Sequence, residues 1–389
     1  MRTISAILFL LLSVSCGSSD SFLKAENTLP PAFNNRTLDR VTFLTAHNAF
    51  ANNGDDARFL VPNQEWGITK QMEMGVRGFM LDIWSKKGEA VLCHGTCGLA
   101  GLFPLISLTD ELRRFEDFMK KNPDAIITLH LEWTPSARVN EFETAFNKFP
   151  DLKNLIFDPY KWEVRQNGWP KISEMIAQNK RLLIFSQTDV TRYLGVGYDR
   201  DFLVENYWSL GGLGKDRECK ARWDDIPLDT DNTQTHKFRR LFLMNHFRDI
   251  PTILTATLDN TLGSIWGRVS NECLAAARRV PNYIALDFVN KGRGLETLNA
   301  LNHAIGIAFE NENWQGRPQI IQPGQENLDG GEGHLDNDSL SSIEIFFKGT
   351  RVALFDDRDQ NNFLLDIIET TSYVGDEAND RVASWHVDN

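Results

Sequence analysis

"GVRGFMLDIW" (residues 75–84) and, further along, "AIITLHLEW" (residues 125–133) decide the fold. Both are apolar runs of strand length, and each carries an acid near its end. Strand alternation places Met80, Asp82 and Trp84 on one face of the first run. It places Thr128, His130 and Glu132 on one face of the second. Polar side chains turned inward are costly unless they are paired or bind something. Between the two runs lies "SLTDELRRFEDFMKKNP" (residues 107–123), where Leu112, Phe115 and Phe118 recur at helical spacing. Asn122-Pro123 ends that helix. Strand, helix, strand in this order imply a parallel sheet.

Working outward, "VTFLTAH", "AVLCHG", "RLLIFSQ", "RLFLMNHF" and "NYIALDFVN" read as further strands. Seven strand ends carry polar, reactive residues: His47, Asp82, His94, Glu132, Gln187, His246 and Asp287. The expected fold class is α/β, a TIM-type (β/α) barrel over residues 37–302, with an active site gathered at the C-terminal strand ends.

The chain has 389 residues, 42% hydrophobic and 24% charged, ordinary for a globular protein of two domains. Its net charge of −12 lacks the basic face that nucleic-acid binding needs. It also opposes electrostatic docking on anionic membranes, yet suits local Ca²⁺ sites. The chain opens "MRTISAILFLLLSVSCGSSDS". Arg2 and the short apolar run after it read as a signal peptide over residues 1–16. "LSVSC" resembles a lipobox, which would make Cys16 a lipidated mature N-terminus and the protein a cell-surface lipoprotein. Ordinary cleavage would instead give a secreted protein. Residues 17–36 are expected as a tether, and the mature protein as a monomer. After export Cys93, Cys97, Cys219 and Cys273 form an even set. Cys93–Cys97 with Cys219–Cys273 is the simplest of three pairings.

Past residue 302 the character changes. "IAFENENWQG…LDNDSLSSIEIF" and "VALFDDRDQNN…ANDRVASWHV" share a layout, each with a strand ending in Phe plus an acid and a later Asn-Asp pair before a strand. The repeat of about forty residues predicts two interlocked all-β units over residues 303–389. In the barrel, Asn48, Asp82 and Glu132 offer oxygen ligands suited to Ca²⁺. His47 and His94 supply the near-neutral base and acid that phosphodiester cleavage requires. Glu205, Arg77 and His246 are further candidates for substrate contact.

Together "LTAHNAF", "GVRGFMLDIW", "LCHG", "AIITLHLEW", "LFLMNHF" and "VPNYIALDFVNKG" resemble the X region of phosphatidylinositol-specific phospholipase C and its PLC-like phosphodiesterase relatives. The resemblance implies an incomplete or distorted barrel and a two-histidine mechanism. His47 matches the general base, His94 the general acid, and Asp287 the carboxylate that orients the base. Asn48, Asp82 and Glu132 match ligands of the metal-dependent branch. Met80 departs from it, standing where that branch has Glu, and Trp84 stands where the metal-free branch has Arg. The implied substrate is phosphatidylinositol or a related glycolipid, with the membrane reached through that substrate or the anchor. The alternatives are an impaired barrel acting as a binding protein, or a phosphodiesterase of glycerophosphodiesters or sphingomyelin. "CHGTC" looks like a family variant in which a disulfide brackets the loop after the acid histidine.

The C-terminal repeat resembles a βγ-crystallin domain, whose microbial members bind Ca²⁺ through an (Asn/Asp)-(Asn/Asp)-x-x-(Ser/Thr)-Ser motif. Asn337, Asp338, Ser341 and Ser342 match it fully. Asn379, Asp380 and Ser384 match it in part, with Ala383 replacing the first hydroxyl residue.

Overall fold

The computed structural model describes residues 31–387 except 56–57, 95–96, 98–103, 190–191 and 232–236. The expected signal peptide, Cys16 and most of the expected tether lie outside the described residues.

Eight parallel strands form the barrel: β1 (Phe43–Ala46), β2 (Gly78–Lys86), β3 (Ile127–Trp133), β4 (Leu182–Ser186), β5 (Gly197–Tyr198), β6 (Leu203–Glu205), β7 (Leu241–Asn245) and β8 (Tyr283–Leu286). They pair in the order β5-β4-β3-β2-β1-β8-β7-β6. The path ends at β5 and β6, strands of two and three residues, so the barrel stays open there. Alternation sorts the side chains. Leu44, Phe79, Leu129, Ile184, Phe242 and Ile284 pack outward in the cluster shared with the helices. Phe43, Leu183, Phe185, Leu203, Leu243 and Tyr283 fill the interior, with Met80 against them. The helix Leu108–Lys121 is capped by Ser107 and buries Leu112, Phe115 and Phe118, the periodic positions of its sequence.

"AVLCHG" differs from expectation. Glu89–Leu92 is not a barrel strand but the antiparallel return of β2, with Ile83 opposite Leu92. Lys87 and Gly88, both at positive φ, make the two-residue turn. The return brings His94 back over the end of β2, where the Cys93 amide donates to the Asp82 carbonyl at 3.2 Å.

Ordering begins before residue 37. Pro31–Asn35 form a 3₁₀ turn, Phe33 is buried, and the Arg36 guanidinium lies between the rings of Phe33 and Phe347. Both disulfides of the simplest pairing are present, Cys93–Cys97 and Cys219–Cys273.

The C-terminal module holds β9 (Gly306–Asn311), β10 (Gln315–Ile321), β11 (Gly324–Asn327), β12 (Ser342–Ile345), β13 (Val352–Phe355), β14 (Phe363–Ile367) and β15 (Ser384–Val387). One sheet runs β10-β9-β12 and the other β11-β15-β13-β14, antiparallel wherever the strands pair. The first repeat thus lends its third strand, β11, to the sheet of the second. A bridge between Ile343 and Thr371 returns the exchange. This is the interlocked Greek-key arrangement of a βγ-crystallin-like fold. Leu340, Leu354, Val382 and Trp385 sit in its core.

The module caps the N-terminal end of the barrel. Glu344, on β12 and fully buried, accepts from Arg239 at 2.6 Å and pairs with Arg40. Arg40 and Arg239 stand just before β1 and β7, so the opposite end of the barrel stays open.

Candidate active site

At that open end the inward-facing columns of five strands finish in a polar group. β1 delivers His47, β2 Asp82, β3 Glu132, β6 Glu205 and β8 Asp287. His47, Asp82, Glu132 and Glu205, with Asn48, Gln187 and Asp199, line a mouth of about 330 Å³ floored by Met80, His130 and Leu243.

His47 Nδ1 lies 2.9 Å from Asp287 Oδ1, and Asn63 Nδ2 donates to the same oxygen at 2.9 Å. That contact fixes the tautomer, leaving His47 Nε2 as the basic nitrogen. Asn48 Nδ2 donates to Nε2 at 3.1 Å. Phe247 stacks flat on the imidazole, with centroids 3.6 Å apart. The second histidine is held by a second acid, His94 Nδ1 lying 3.0 Å from Asp82 Oδ2. The two ring centroids are 6.4 Å apart and nearly perpendicular. His94 is the more open of the pair, 45% exposed against 16% for His47. The hydrogen bond to Asp82 raises the His94 pKa above the ordinary histidine value, although burial works against it. Asn48, buried between the two rings, takes a left-handed φ of 42°, a strained conformation for a non-glycine residue.

The far wall carries a different chemistry. Arg222 pairs with Glu205 at 2.7 Å and reaches Glu132 at 3.7 Å. Turned toward Arg222, the Gln187 amide oxygen accepts from it at 3.0 and 3.1 Å. Burial first, then the charge of Asp82, pushes the Glu132 carboxyl up. Burial and then Glu205 push Asp199 well above the ordinary carboxylate range. Asp199 Oδ1 and both ring nitrogens of His130 have no protein hydrogen-bond partner. Burial drives the His130 pKa down to about 3, so this ring is neutral.

The structure therefore brings together His47, Asn48, Asp82, His94, Glu132 and Asp287. It does not bring His246 or Arg77 to the mouth. Asn245 and Phe247 take the inward parity of β7, so His246 points outward to the carbonyl of Asp259 at 2.9 Å. Arg77 donates to the carbonyls of Met72 and Val76 at the capped end of β2. Phe247, Asn63, Asp199 and Arg222 were missed. The parity of β7 was a usable signal for Phe247, whereas Asn63, Asp199 and Arg222 sit in connections without a pattern.

Among the described residues no three His, Cys, Asp or Glu side chains form a group that could hold a metal ion. Asp82, Glu132 and Asn48 nevertheless present only oxygen among their ligating atoms, and the two carboxylates repel each other. That donor chemistry fits a hard cation completed by water and phosphate oxygens. In the C-terminal module Asp338 and Asp380 both take left-handed φ, 60° and 55°, on loops that cross-pair. The Asp338 amide donates to Val382 and the Asp380 amide to Leu340. Burial, Asp356, Asp357 and Asp380 raise the Asp338 carboxyl. The Ser341 hydroxyl donates to the Glu310 carbonyl at 2.8 Å, and Ser384 does the same to Asp357 at 2.7 Å.

The family model described as PI-PLC X 1 matches residues 33–302. The chain belongs to the PI-PLC X family. Among the relatives of this PI-PLC X chain is a PI-PLC X domain-containing protein of Arabidopsis thaliana, 29% identical over 72% of this chain and 66% of its own length. A PI-PLC X domain-containing protein of Arthroderma benhamiae is 26% identical over 70% of this chain and 88% of its own. An uncharacterized secreted protein of the same fungus is 23% identical over 66% and 58%. The chain thus spans about two thirds of the plant relative. Among solved structures, a βγ-crystallin domain from Flavobacterium johnsoniae is 24% identical over 22% of this chain and 93% of its own, with a TM-score of 0.20. One from Clostridium beijerinckii is 22% identical over 21% and 95%, also with a TM-score of 0.20.

Proposed function

We propose that the protein is an exported phosphodiesterase that cleaves phosphatidylinositol or a related glycolipid. One observation carries this reading: two histidines stand 6.4 Å apart at the open end of the barrel, each held by its own carboxylate, and the hydrogen bond to Asp82 raises the pKa of His94. His47 Nε2 takes the proton from a head-group hydroxyl next to the phosphate. That oxygen forms the new bond to phosphorus, the bond to the glycerol oxygen breaks, and His94 Nε2 supplies the proton that the leaving oxygen needs. Asp287 holds His47 in the right tautomer, and Asp82 favours the protonated form of His94. Asp199, Glu205, Gln187 and Arg222 provide the acceptors and donors that a polyol head group can use.

Asn48, Asp82 and Glu132 would hold Ca²⁺, which neutralises phosphate charge when bound. In the module, Asn337, Asp338, Ser341, Asn379 and Asp380 would hold Ca²⁺ as well. Export is supported by the two disulfides and by a relative named as secreted. A lipid anchor at Cys16 belongs to the same reading, as does a monomeric protein.

Met80 favours a second reading, a binding protein whose barrel has lost a metal ligand. Phosphorus NMR on phosphatidylinositol, with Ca²⁺ and with chelator, separates the two. The enzyme converts substrate to a cyclic inositol phosphate faster with Ca²⁺; absence of turnover in both conditions leaves the binder.

A further inference from the structure

Phe247 lies flat on the imidazole of His47. The two rings are tilted by only 5°, with centroids 3.6 Å apart. Such a centred stack is not how aromatic rings usually meet. Neutral pairs prefer an offset or edge-on arrangement with centroids about 4.5–7 Å apart. The other ring pairs among the described residues keep to that preference, their centroids 4.7 to 6.4 Å apart. A centred stack becomes favourable when one ring is a cation, because the face of a phenyl ring is electronegative. His47 becomes that cation each time it takes the proton of the attacking hydroxyl.

The stack is anchored along the chain. Phe247 is buried, and its neighbours in "NHFR" (residues 245–248) are each tied down. Asn245 donates to Glu205 at 2.7 Å, and the His246 ring lies 2.9 Å from the Asp259 carbonyl. Arg248 donates to the Asp259 carboxylate at 2.6 and 2.8 Å. The Phe247 carbonyl accepts from the Leu210 amide at 2.8 Å. Asn260, just past the helix Ile253–Asp259, donates to the Asp287 carbonyl at 2.9 Å. The pair Asp259-Asn260 therefore braces both partners of His47, the ring on its face and the acid at its Nδ1.

Those partners constrain different motions. The contact with Asp287 pins one atom of the imidazole. It leaves the plane of the ring loose, since the outer torsion of a histidine is broad. A flat ring against the face removes that freedom and keeps water off that side. We propose that Phe247 is a positioning residue for the general base. It fixes the plane in which His47 Nε2 meets the attacking hydroxyl, and it favours the imidazolium formed in the transition state over the neutral ring of the ground state. The proposal rests on the two-histidine reading above. An interaction made stronger in the transition state raises kcat and leaves KM alone.

The test compares Phe247→Leu, Phe247→Tyr and Phe43→Leu with wild type, as full chains, on a short-chain, monomeric phosphatidylinositol. Phe43 is a buried ring of the same interior cluster that meets Tyr283 instead of His47, so it reports the loss of a core ring alone. Phe247→Leu should lower kcat about tenfold, the size of a desolvated cation–π contact, with KM within about twofold. Phe247→Tyr keeps the aromatic face and should recover most of the rate. Phe43→Leu should lose Tm as Phe247→Leu does, yet keep kcat within about twofold. Proton NMR gives a direct signature. The His47 ring protons, assigned by difference from His47→Ala, are shielded by the stacked ring and should move downfield in Phe247→Leu. If Phe247→Leu does not fold, Phe247→Met takes its place with the same expectations. Unchanged kcat in the Leu variant, or His47 signals that do not move, overturns the proposal. So does an equal fall of kcat in Phe43→Leu, or a Phe247→Tyr as slow as Phe247→Leu. Wild type without turnover removes the two-histidine reading and the proposal with it. An active wild type indifferent to Phe247→Leu removes only the role of the ring.

Discussion

The two ends of the barrel differ in how their polar groups are satisfied. At the capped end Glu344 is fully buried, yet Arg239 and Arg40 hold it, and Asp39 accepts from Arg239 at 3.0 Å. The last residues before β1 are clamped between the barrel and the module. At the open end Asp199 and His130 keep buried atoms without protein partners, and Asn48 sits in a strained backbone conformation. Native proteins rarely leave buried polar atoms unpaired. Two arginines bind one oxygen of Glu344 at the capped end, whereas Asp199 and His130 with their unpaired atoms line the mouth at the open end, which separates the end that joins barrel and module from the end open to a ligand.

Mutations should divide along the same line. The largest effect is expected at the open end. His47→Ala should lower turnover of phosphatidylinositol about 10²- to 10⁴-fold, with Tm nearly unchanged. Glu344→Ala should do the reverse, costing about 3 kcal/mol in a denaturant titration by leaving Arg40 and Arg239 with Asp39 alone, with kcat preserved. Equal loss of activity in both variants would break the division.

Much of the division was legible in the chain. The alternation of "GVRGFMLDIW" and "AIITLHLEW" placed Asp82 and Glu132 at the mouth, because a strand buried on both faces must point its polar ends somewhere useful. What the pattern could not give was direction. "AVLCHG" has the composition of any strand, and only the Lys87-Gly88 turn makes it a return rather than a crossover. His246 and Phe247 differ by one residue, and one step of parity decides which reaches His47. Arg222 stands in the long connection after β6, where no periodicity marks it. The interlocked exchange of strands in the module was foreshadowed by the repeat, but the pairing partners depend on contacts far apart in the chain.

Smaller effects sharpen the contrast within the open end itself. Asp82→Asn removes the carboxylate whose hydrogen bond and charge raise the His94 pKa. A general acid must be protonated, and its pKa would then fall, so the basic limb of the kcat/KM profile should move to lower pH. A basic limb that stays in place would remove His94 from the role. The mildest effect concerns the module. Ca²⁺ at a hundredfold excess over its Kd adds about 2.7 kcal/mol per site. Thermal scans with Ca²⁺ and with chelator should show that shift in wild type and a smaller one in Asp338→Ala.

Leaving-group dependence tests the division of labour between His47 and His94 most directly. A phosphodiester that expels an acidic phenol needs no proton on its leaving oxygen, whereas the natural glycerol ester does. With inositol esters of both kinds, His94→Ala should recover most of its activity on the phenol substrate, and His47→Ala should remain inactive on both. Equal impairment of His94→Ala on the two substrates, or full activity of His47→Ala on either, would contradict the assignment of base and acid.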